Sequence, residues 1–232
     1  MIGVVVPAHN EERYLGACLA ALRIAAADPA LAGERVHIHV VLDACTDGSA
    51  GVVAEHAAPD AHSTVTWSHV DAHKVGVARA AGADIVLARG ARWLAFTDAD
   101  TRVSPDWLST QLGLGVDVVC GSVGVDDWSV HGDDAGLLRH YFANVYRDAD
   151  GHDHIHGANL GVAADAYRAA GGFQPLPCHE DVALVDALKK IGARFAWTAA
   201  PRVATSARRD AKARGGFGDN LLKIVTWYEP AV

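Results

Sequence analysis

Short apolar runs alternate with longer segments of helical periodicity through the first half of the chain. A short run rich in β-branched residues is typical of a buried strand, whereas apolar positions three and four residues apart indicate a helix. By these criteria the predicted strands are residues 2–6, 36–42, 64–70 and 93–97. The first predicted helix begins after Asn10, which could cap it. Further helices are predicted at 52–56 and 75–87, and another begins at Pro105.

This alternation predicts an α/β fold with a mostly parallel central sheet flanked by helices, because parallel strands need helical crossovers. Polar turns at residues 7–11, 43–49 and 98–100 follow three of the strands. In a parallel sheet, such turns meet at the carboxyl edge, which is where ligands bind. The pattern therefore predicts that three acidic or polar segments lie together.

The second half of the chain is less regular, but no linker divides it from the first, so we expect one domain. The predicted elements are strands at 117–125 and 159–163 and helices at 135–146, 165–170 and 181–191. The basic segment 207–218 carries Gly215, Gly216 and Gly218 and is expected to be mobile.

Composition narrows the function classes. The 232 residues include 20 basic and 28 acidic side chains, which gives a formal net charge of −8. A general nucleic-acid binder is normally basic, so we expect no nucleic-acid partner. The four cysteines form no CxxC pair and are expected to be buried thiols. The start does not resemble a signal peptide and no apolar stretch reaches the roughly 20 residues of a membrane helix, so we expect a cytoplasmic chain without a transmembrane segment.

The strongest local signal is the pair Asp98 and Asp100, which follows the apolar run 93–97. Alternate side chains of an extended chain share a face, so both carboxylates can address one point. Two hard oxygen ligands suit Mn²⁺ or Mg²⁺, which in turn would hold a diphosphate. The alternative is a solvated turn in which Asp98 caps the next helix.

Seven motifs in order make the sequence resemble the family 2 glycosyltransferases of GT-A fold. They are 4–11 (VVVPAHNE), 41–49 (VLDACTDGS), 76–82 (GVARAAG), 97–100 (TDAD), 157–161 (GANLG), 171–173 (GGF) and 179–181 (HED). The resemblance implies one GT-A domain over 1–232, with a nucleotide-sugar half at 1–104, an acceptor and catalytic half at 105–204 and a flexible segment at 205–232. It also implies transfer of a sugar from a nucleotide-diphosphate sugar donor to an unknown acceptor hydroxyl, and it leaves a homodimer open.

The resemblance further assigns roles to individual residues. The donor-binding set would be Pro7, Ala8, Asn10, Glu11, Asp43, Lys74, Arg79, Asp98, Ala99 and Arg208. Within it, Asp43 would bind the base, Lys74 and Arg79 would face the nucleotide, and Arg208 with Arg209 would close over the diphosphate. Asp98 and Asp100 would hold the metal. The alternatives are a local Asx turn at Asp43, a surface ion pair at Arg79 and an ordinary basic loop at Arg208.

The resemblance makes Asp181 the candidate general base of an inverting transfer, with Glu180 orienting the site. The alternative is that both carboxylates only complement the dipole at a helix start. Two further readings of the whole chain remain open at this stage. One is a nucleotidyltransferase, which the absence of a glycine-rich basic loop after the first strand disfavours; the other is a non-catalytic nucleotide-sugar binding module.

Some residues depart from the family pattern or stay unassigned. Leu42 precedes Asp43 where the family often carries a second acid, so the base stays uncertain. The alternating His152, His154 and His156 could bind a metal, but we favour a solvated loop. The aromatic side chains that could stack on an acceptor, with core packing as the alternative, are Trp128, Tyr141 and Tyr146.

Overall fold

A computed structural model describes residues 1–209 of the chain and contains a seven-stranded sheet in the order β3-β2-β1-β4-β7-β6-β8. Its strands are β1 (Ile2–Ala8), β2 (Val36–Asp43), β3 (Ser63–Val70), β4 (Trp93–Phe96), β6 (Val118–Gly121), β7 (Leu160–Ala163) and β8 (Phe195–Thr198). Neighbouring strands are parallel except where β7 pairs with β4 and β6. The predicted fold class, α/β with a mostly parallel sheet, is confirmed.

Seven helices accompany these strands within residues 1–209. They are α1 (Leu15–Ala26), α2 (Ser49–Glu55), α3 (Val75–Ala88), α4 (Trp107–Gly113), α5 (Ala135–Val145), α6 (Ala164–Ala169) and α7 (Glu180–Lys190). Short 3₁₀ turns lie at Pro29–Leu31 and Ser129–Asp134. No helix in this part of the chain combines the length and the apolar character needed to cross a membrane.

Apolar side chains cover both faces of the central strands, which explains the unbroken apolar runs in the sequence. Val4 and Val6 of β1 face the cluster that includes Leu19 of α1, whereas Val5 faces the cluster formed with α3 and α7. Helix α3 approaches the sheet closely at Gly82, where an added Cβ would lie 2.5 Å from a methyl group of Val5. Glycine is therefore required at this point of the helix.

A second, two-stranded sheet joins β5 (Thr101–Val103) to β9 (Val203–Thr205). It follows directly on the Asp98–Asp100 turn and brings the end of the described chain back to that turn. The amide of Ser206 donates to the carbonyl of Asp100 at 3.2 Å. This pairing places residues 206–208 beside the acidic pair.

Three sequence predictions need correction. Asn10 does not cap α1, which begins at Leu15 after a Tyr14 N-cap; Asn10 has a positive φ of 54° instead. The helix expected at Pro105 begins at Trp107. Two of the four cysteines, Cys45 and Cys178, are only half-buried, although all four are free thiols.

Candidate active site

The polar turns that follow β1 and β2 are joined by hydrogen bonds at the carboxyl edge of the sheet. The side-chain oxygen of Asn10 accepts from the amide of Thr46 at 2.7 Å, and the amide of Glu11 donates to the Ser49 hydroxyl at 2.8 Å. The thiol of Cys45 donates to the carbonyl of Ala8 at 3.3 Å. The expected meeting of these two turns is confirmed, and Pro7 to Glu11 lie at this edge, at the end of β1 and directly after it.

Asp43, the last residue of β2, holds the loop that precedes α3. Its Oδ1 accepts from the amides of Ala72 and His73 at 2.8 and 2.9 Å, and its Oδ2 accepts from the amide of Lys74 at 3.0 Å. These partners lie about 30 residues further along the chain, so the Asx-turn alternative is wrong. The Lys74 side chain is exposed at the start of α3. The base contact assigned to Asp43 stays a prediction.

Two histidines that the sequence argument did not select flank Asp43. His9 shares a hydrogen bond between its Nδ1 and the carbonyl of Asp43 at 2.6 Å. The rings of His9 and His73 lie edge to face with centroids 5.9 Å apart. The position of His9 inside the PAHNE motif, between Pro7 and Asn10, is the signal that could have identified it.

Asp100, one member of the acidic pair after β4, is paired with a cation from the end of the described chain. Arg208 donates to Oε2 of Glu11 at 2.7 Å, and its other terminal nitrogen lies 3.3 Å from Oδ2 of Asp100. The guanidinium carbon of Arg208 also lies 5.7 Å from the ring centroid of Tyr14. Arg208 therefore contacts a predicted metal ligand and a predicted donor residue together.

Burial raises the pKa of Asp100 to about 6, even though Arg208 opposes this shift. The nearby charges of Asp98 and Glu11 add to the increase. Asp98 is followed by strand β5 and not by a helix, so the helix-cap alternative is wrong. Ala99, between the two carboxylates, is buried in the core, and the donor contact assigned to it stays a prediction.

The chemistry of this pair fits a divalent cation that the substrate helps to bind. Asp98 and Asp100 offer hard oxygens, the donor type that Mg²⁺ and Mn²⁺ prefer. Within residues 1–209 no group of three His, Cys, Asp or Glu side chains is arranged to hold a metal by itself. A site that uses one or two carboxylates and substrate phosphates, and no complete protein cage, is the usual one for Mg²⁺.

Arg79 lies in α3 and connects the acidic pair to the start of α7. One terminal nitrogen donates to Oδ1 of Asp98 at 2.5 Å and the other donates to Oε1 of Glu180. Only 4% of the Arg79 side chain is exposed, so the surface ion-pair alternative is wrong. Both terminal nitrogens are used by carboxylates, and the nucleotide contact assigned to Arg79 stays a prediction.

Asp181 lies in the first turn of α7 and is held by main-chain amides. Its Oδ2 accepts from the amide of Gly157 at 3.0 Å, and its Oδ1 accepts from the amide of Val182 at 2.8 Å. The residue before the helix, His179, adopts a left-handed conformation with φ of 58°. A carboxylate here also complements the helix dipole, so both sequence interpretations of Asp181 fit its position.

The histidine segment is a stack of rings and is neither of the two expected structures. His152 is buried, which contradicts a solvated loop, and its nitrogens contact the Thr198 carbonyl and the His154 amide. His154 stacks on Tyr146 with centroids 4.1 Å apart, and Phe142 stacks on the other face of Tyr146 at 4.4 Å. Both faces of Tyr146 are therefore covered, which leaves neither for an acceptor ring.

The remaining aromatic and tail predictions have mixed outcomes. Trp128 is 4% exposed and packs on Phe142, which supports core packing for this residue. Tyr141 is half-buried on α5 and stays unassigned. Arg209 is exposed at the end of the described chain. Gly215, Gly216 and Gly218 lie outside the described residues.

Comparisons with known proteins agree with this architecture. The solved structure of S. aureus TarS 1-349 in complex with UDP has 15% sequence identity and a TM-score of 0.61, covering 89% of this chain and 61% of that chain. Mannosyltransferase PcManGT from Pyrobaculum calidifontis, in complex with GDP-Man and Mn²⁺, has 18% identity and a TM-score of 0.63, covering 91% and 58%. Glucosyl-3-phosphoglycerate synthase from Mycobacterium tuberculosis, in complex with Mn²⁺, UDP and glucosyl-3-phosphoglycerate, has 17% identity and a TM-score of 0.54, covering 98% and 79%.

At these identities the solved structures establish the fold alone, and the chain spans about 60% of the length of the first two. No curated protein matches the sequence. The family model described as glycosyl transferase family 2 matches residues 3–166, which is well over half of the chain and includes Asp43, Arg79, Asp98 and Asp100. The match ends before Asp181 and Arg208. The chain belongs to glycosyl transferase family 2.

Proposed function

We propose that this protein transfers a sugar from a nucleotide-diphosphate sugar to an acceptor hydroxyl, with a divalent metal and with inversion at the anomeric carbon. The observation that carries the proposal is the Arg79 bridge, which ties Asp98 to Glu180, the neighbour of Asp181. It brings a metal-type acidic pair and a candidate base to one edge of a sheet. Known relatives of this fold support the donor class, because they were solved with UDP or with GDP-Man and Mn²⁺.

The donor would lie along the carboxyl edge of β1, β2 and β4. Asn10, Glu11 and Asp43 would surround its nucleoside, and the exposed Lys74 would contribute a cation near the phosphates. Asp98 and Asp100 would hold Mn²⁺ or Mg²⁺, which when bound would stabilise the negative charge of the departing diphosphate. Arg208, which pairs with Glu11 and Asp100 in this structure, would also stabilise the negative charge of the diphosphate once the donor binds.

The transfer step assigns the proton to Asp181. As the acceptor oxygen forms its bond to the anomeric carbon, the carboxylate of Asp181 would take the hydroxyl proton. The bond from that carbon to the diphosphate oxygen breaks, and the nucleoside diphosphate leaves with the electron pair. The attack comes from the face opposite the leaving group, so the configuration inverts. The amides of Gly157 and Val182 fix the carboxylate in one orientation for this step.

A thermal-shift panel tests the donor class. UDP, GDP, CDP and dTDP sugars are each added with and without Mn²⁺, since a ligand that binds only the native state raises the melting temperature. We expect one nucleotide series to raise it, and to do so more with Mn²⁺ present. Donor hydrolysis with the same compounds then separates an enzyme from a binding module. No shift with any nucleotide sugar would contradict the proposal.

A further inference from the structure

We infer that the buried ion pair between Arg79 and Glu180 is a positioning device that sets the place of Asp181 relative to the acidic pair. The inference deepens the proposed function and rests on it for the role of Asp181. It gives Arg79 a role different from the donor contact that the family resemblance implies.

The guanidinium of Arg79 is fixed by its two terminal nitrogens. One contacts Asp98 and the other contacts Glu180, and the Arg79 and Glu180 side chains are 4% and 6% exposed. The Nε atom of Arg79 is buried without a hydrogen-bond partner among the described residues. Burying an arginine and leaving one of its donors unsatisfied costs folding free energy. The protein nevertheless keeps the Arg79 contacts, which connect three segments that are distant in sequence: α3, the end of β4 and the start of α7.

Gly157 transmits the position of Arg79 to Asp181. A Cβ added at Gly157 would collide with the guanidinium group, so the backbone of Gly157 packs directly on Arg79. The amide of the same residue donates to Oδ2 of Asp181 at 3.0 Å. The Phe173 ring lies on the guanidinium as well, with its centroid 5.8 Å from Cζ. Arg79 therefore fixes Asp181 in two ways, through the neighbouring Glu180 and through the Gly157 amide.

This geometry defines what the ion pair does for the reaction. Asp98 belongs to the donor side, and Asp181 belongs to the acceptor side, so a rigid link between them fixes the separation that the transfer requires. Misplacement of a reacting group by about 1 Å can lower a rate by about 100-fold. A donor contact by Arg79 would predict a different result, since its loss would weaken nucleotide binding.

The test removes Glu180 and leaves Arg79 paired with Asp98. In Glu180→Ala we expect the affinity for UDP or GDP with Mn²⁺, measured by calorimetry, to stay within about threefold of wild type, because the donor side is intact. We expect kcat to fall between roughly 10-fold and 100-fold. The Gly157 amide resonance should move, which reports on the Asp181 hydrogen bond independently of turnover. The matched control is Asp186→Asn, which removes an exposed carboxylate from the same helix and should change none of these readouts.

Glu180→Gln keeps the shape of the side chain and accepts one hydrogen bond, so it should recover part of kcat; it also serves as the test if Glu180→Ala does not fold. An equal loss of nucleotide affinity and kcat would overturn the inference, as would an unchanged Gly157 resonance. If wild type transfers no sugar from any donor, the proposed function fails by itself. The Gly157 resonance and nucleotide affinity would still decide the positioning role.

Discussion

The two acidic regions at the sheet edge are stabilised in different ways. Asp100 is neutralised by a side chain, because Arg208 reaches it from the end of the described chain. Asp181 is held by the main chain, through the amides of Gly157 and Val182. A side-chain cation can rotate away and be replaced by a metal ion, whereas backbone amides stay in place. Under the proposed function, the first region would exchange one cation for another and the second would keep a fixed orientation.

The same contrast appears in the contacts that support each region. Glu11 and Asp100 share one arginine, and burial raises the pKa of Asp100. Among residues 1–209 no cation forms an ion pair with the carboxylate of Asp181, and in our inference Arg79 positions it through Gly157 and Glu180. Mutations in the two regions should therefore separate metal-dependent binding from transfer.

The largest expected effect is on transfer in Asp181→Asn. The amide keeps the size of the side chain and removes the proton acceptor, so the transfer rate should fall by roughly 10²–10⁴-fold. Donor affinity should remain near that of wild type. Steady-state rates and calorimetry with the same donor check both points. Loss of donor binding would mean that Asp181 organises the pocket, and a wild-type rate would remove it as the base.

Asp100→Asn should weaken metal-dependent donor binding, the property that Asp181→Asn leaves near wild type. Loss of an outer-shell partner of a metal ligand lowers metal affinity by roughly 10–100-fold. Loss of Asp100, which is proposed to ligate the metal directly, should weaken Mn²⁺-dependent donor binding by more than that. The fold should remain intact, because the residue lies at a strand end. Calorimetry with UDP or GDP, with and without Mn²⁺, makes the measurement. Metal-dependent binding equal to that of wild type would contradict the metal assignment.

Gly157→Ala should destabilise the region around Asp181 through a steric clash. The added methyl group meets the Arg79 guanidinium, and overpacking of this kind costs about 1–3 kcal/mol in the free energy of unfolding. Urea unfolding measures the change. The control is Gly136→Ala on α5, where an added Cβ meets nothing within 4 Å. Equal stability of Gly157→Ala and wild type would show that the contact is not tight.

The smallest expected effect is a pH dependence of stability that belongs to Asp100. Its pKa is near 3.9 in an unfolded chain and about 6 in the folded protein, so the folded state binds the proton more tightly. Ionisation of Asp100 therefore lowers the free energy of unfolding as pH rises from about 4 through 6. Relative to wild type, Asp100→Asn should gain about 2 kcal/mol in the free energy of unfolding between pH 4 and 7.5. Parallel urea profiles for the two proteins would contradict this assignment.

The sequence predicts the first four strands well because their signals are local. Each of β1, β2, β3 and β4 is a short segment rich in β-branched or other apolar residues with a polar turn after it, and both faces of β1 and β4 are covered by apolar clusters. Strands β5 and β9 have three residues each, too few to show a period, and their pairing depends on residues about 100 positions apart. Asn10 was misassigned for the same reason, since its partners Thr46 and Asp47 belong to the turn after another strand.

The same contrast between local and distant signals applies to the residues of the candidate site. The acidic pair and Asp181 lie in short motifs, so their identity could be read from neighbouring residues. Arg79 could not be interpreted locally, because its partners Asp98 and Glu180 lie 19 and 101 residues away. The stack of His152, His154 and Tyr146 depends on packing between a loop and α5, which alternation of histidines does not indicate.

The configuration of the first sugar released from the donor tests the central claim most directly. With water as acceptor, the enzyme hydrolyses a nucleotide-diphosphate sugar that raises the melting temperature. The enzyme concentration is high enough for hydrolysis to be faster than mutarotation of the released sugar. Proton NMR then identifies the anomer that forms first. The account predicts the configuration opposite to that of the donor, with release slowed in Asp181→Asn. A first product that retains the donor configuration would contradict the role of Asp181 in an inverting transfer.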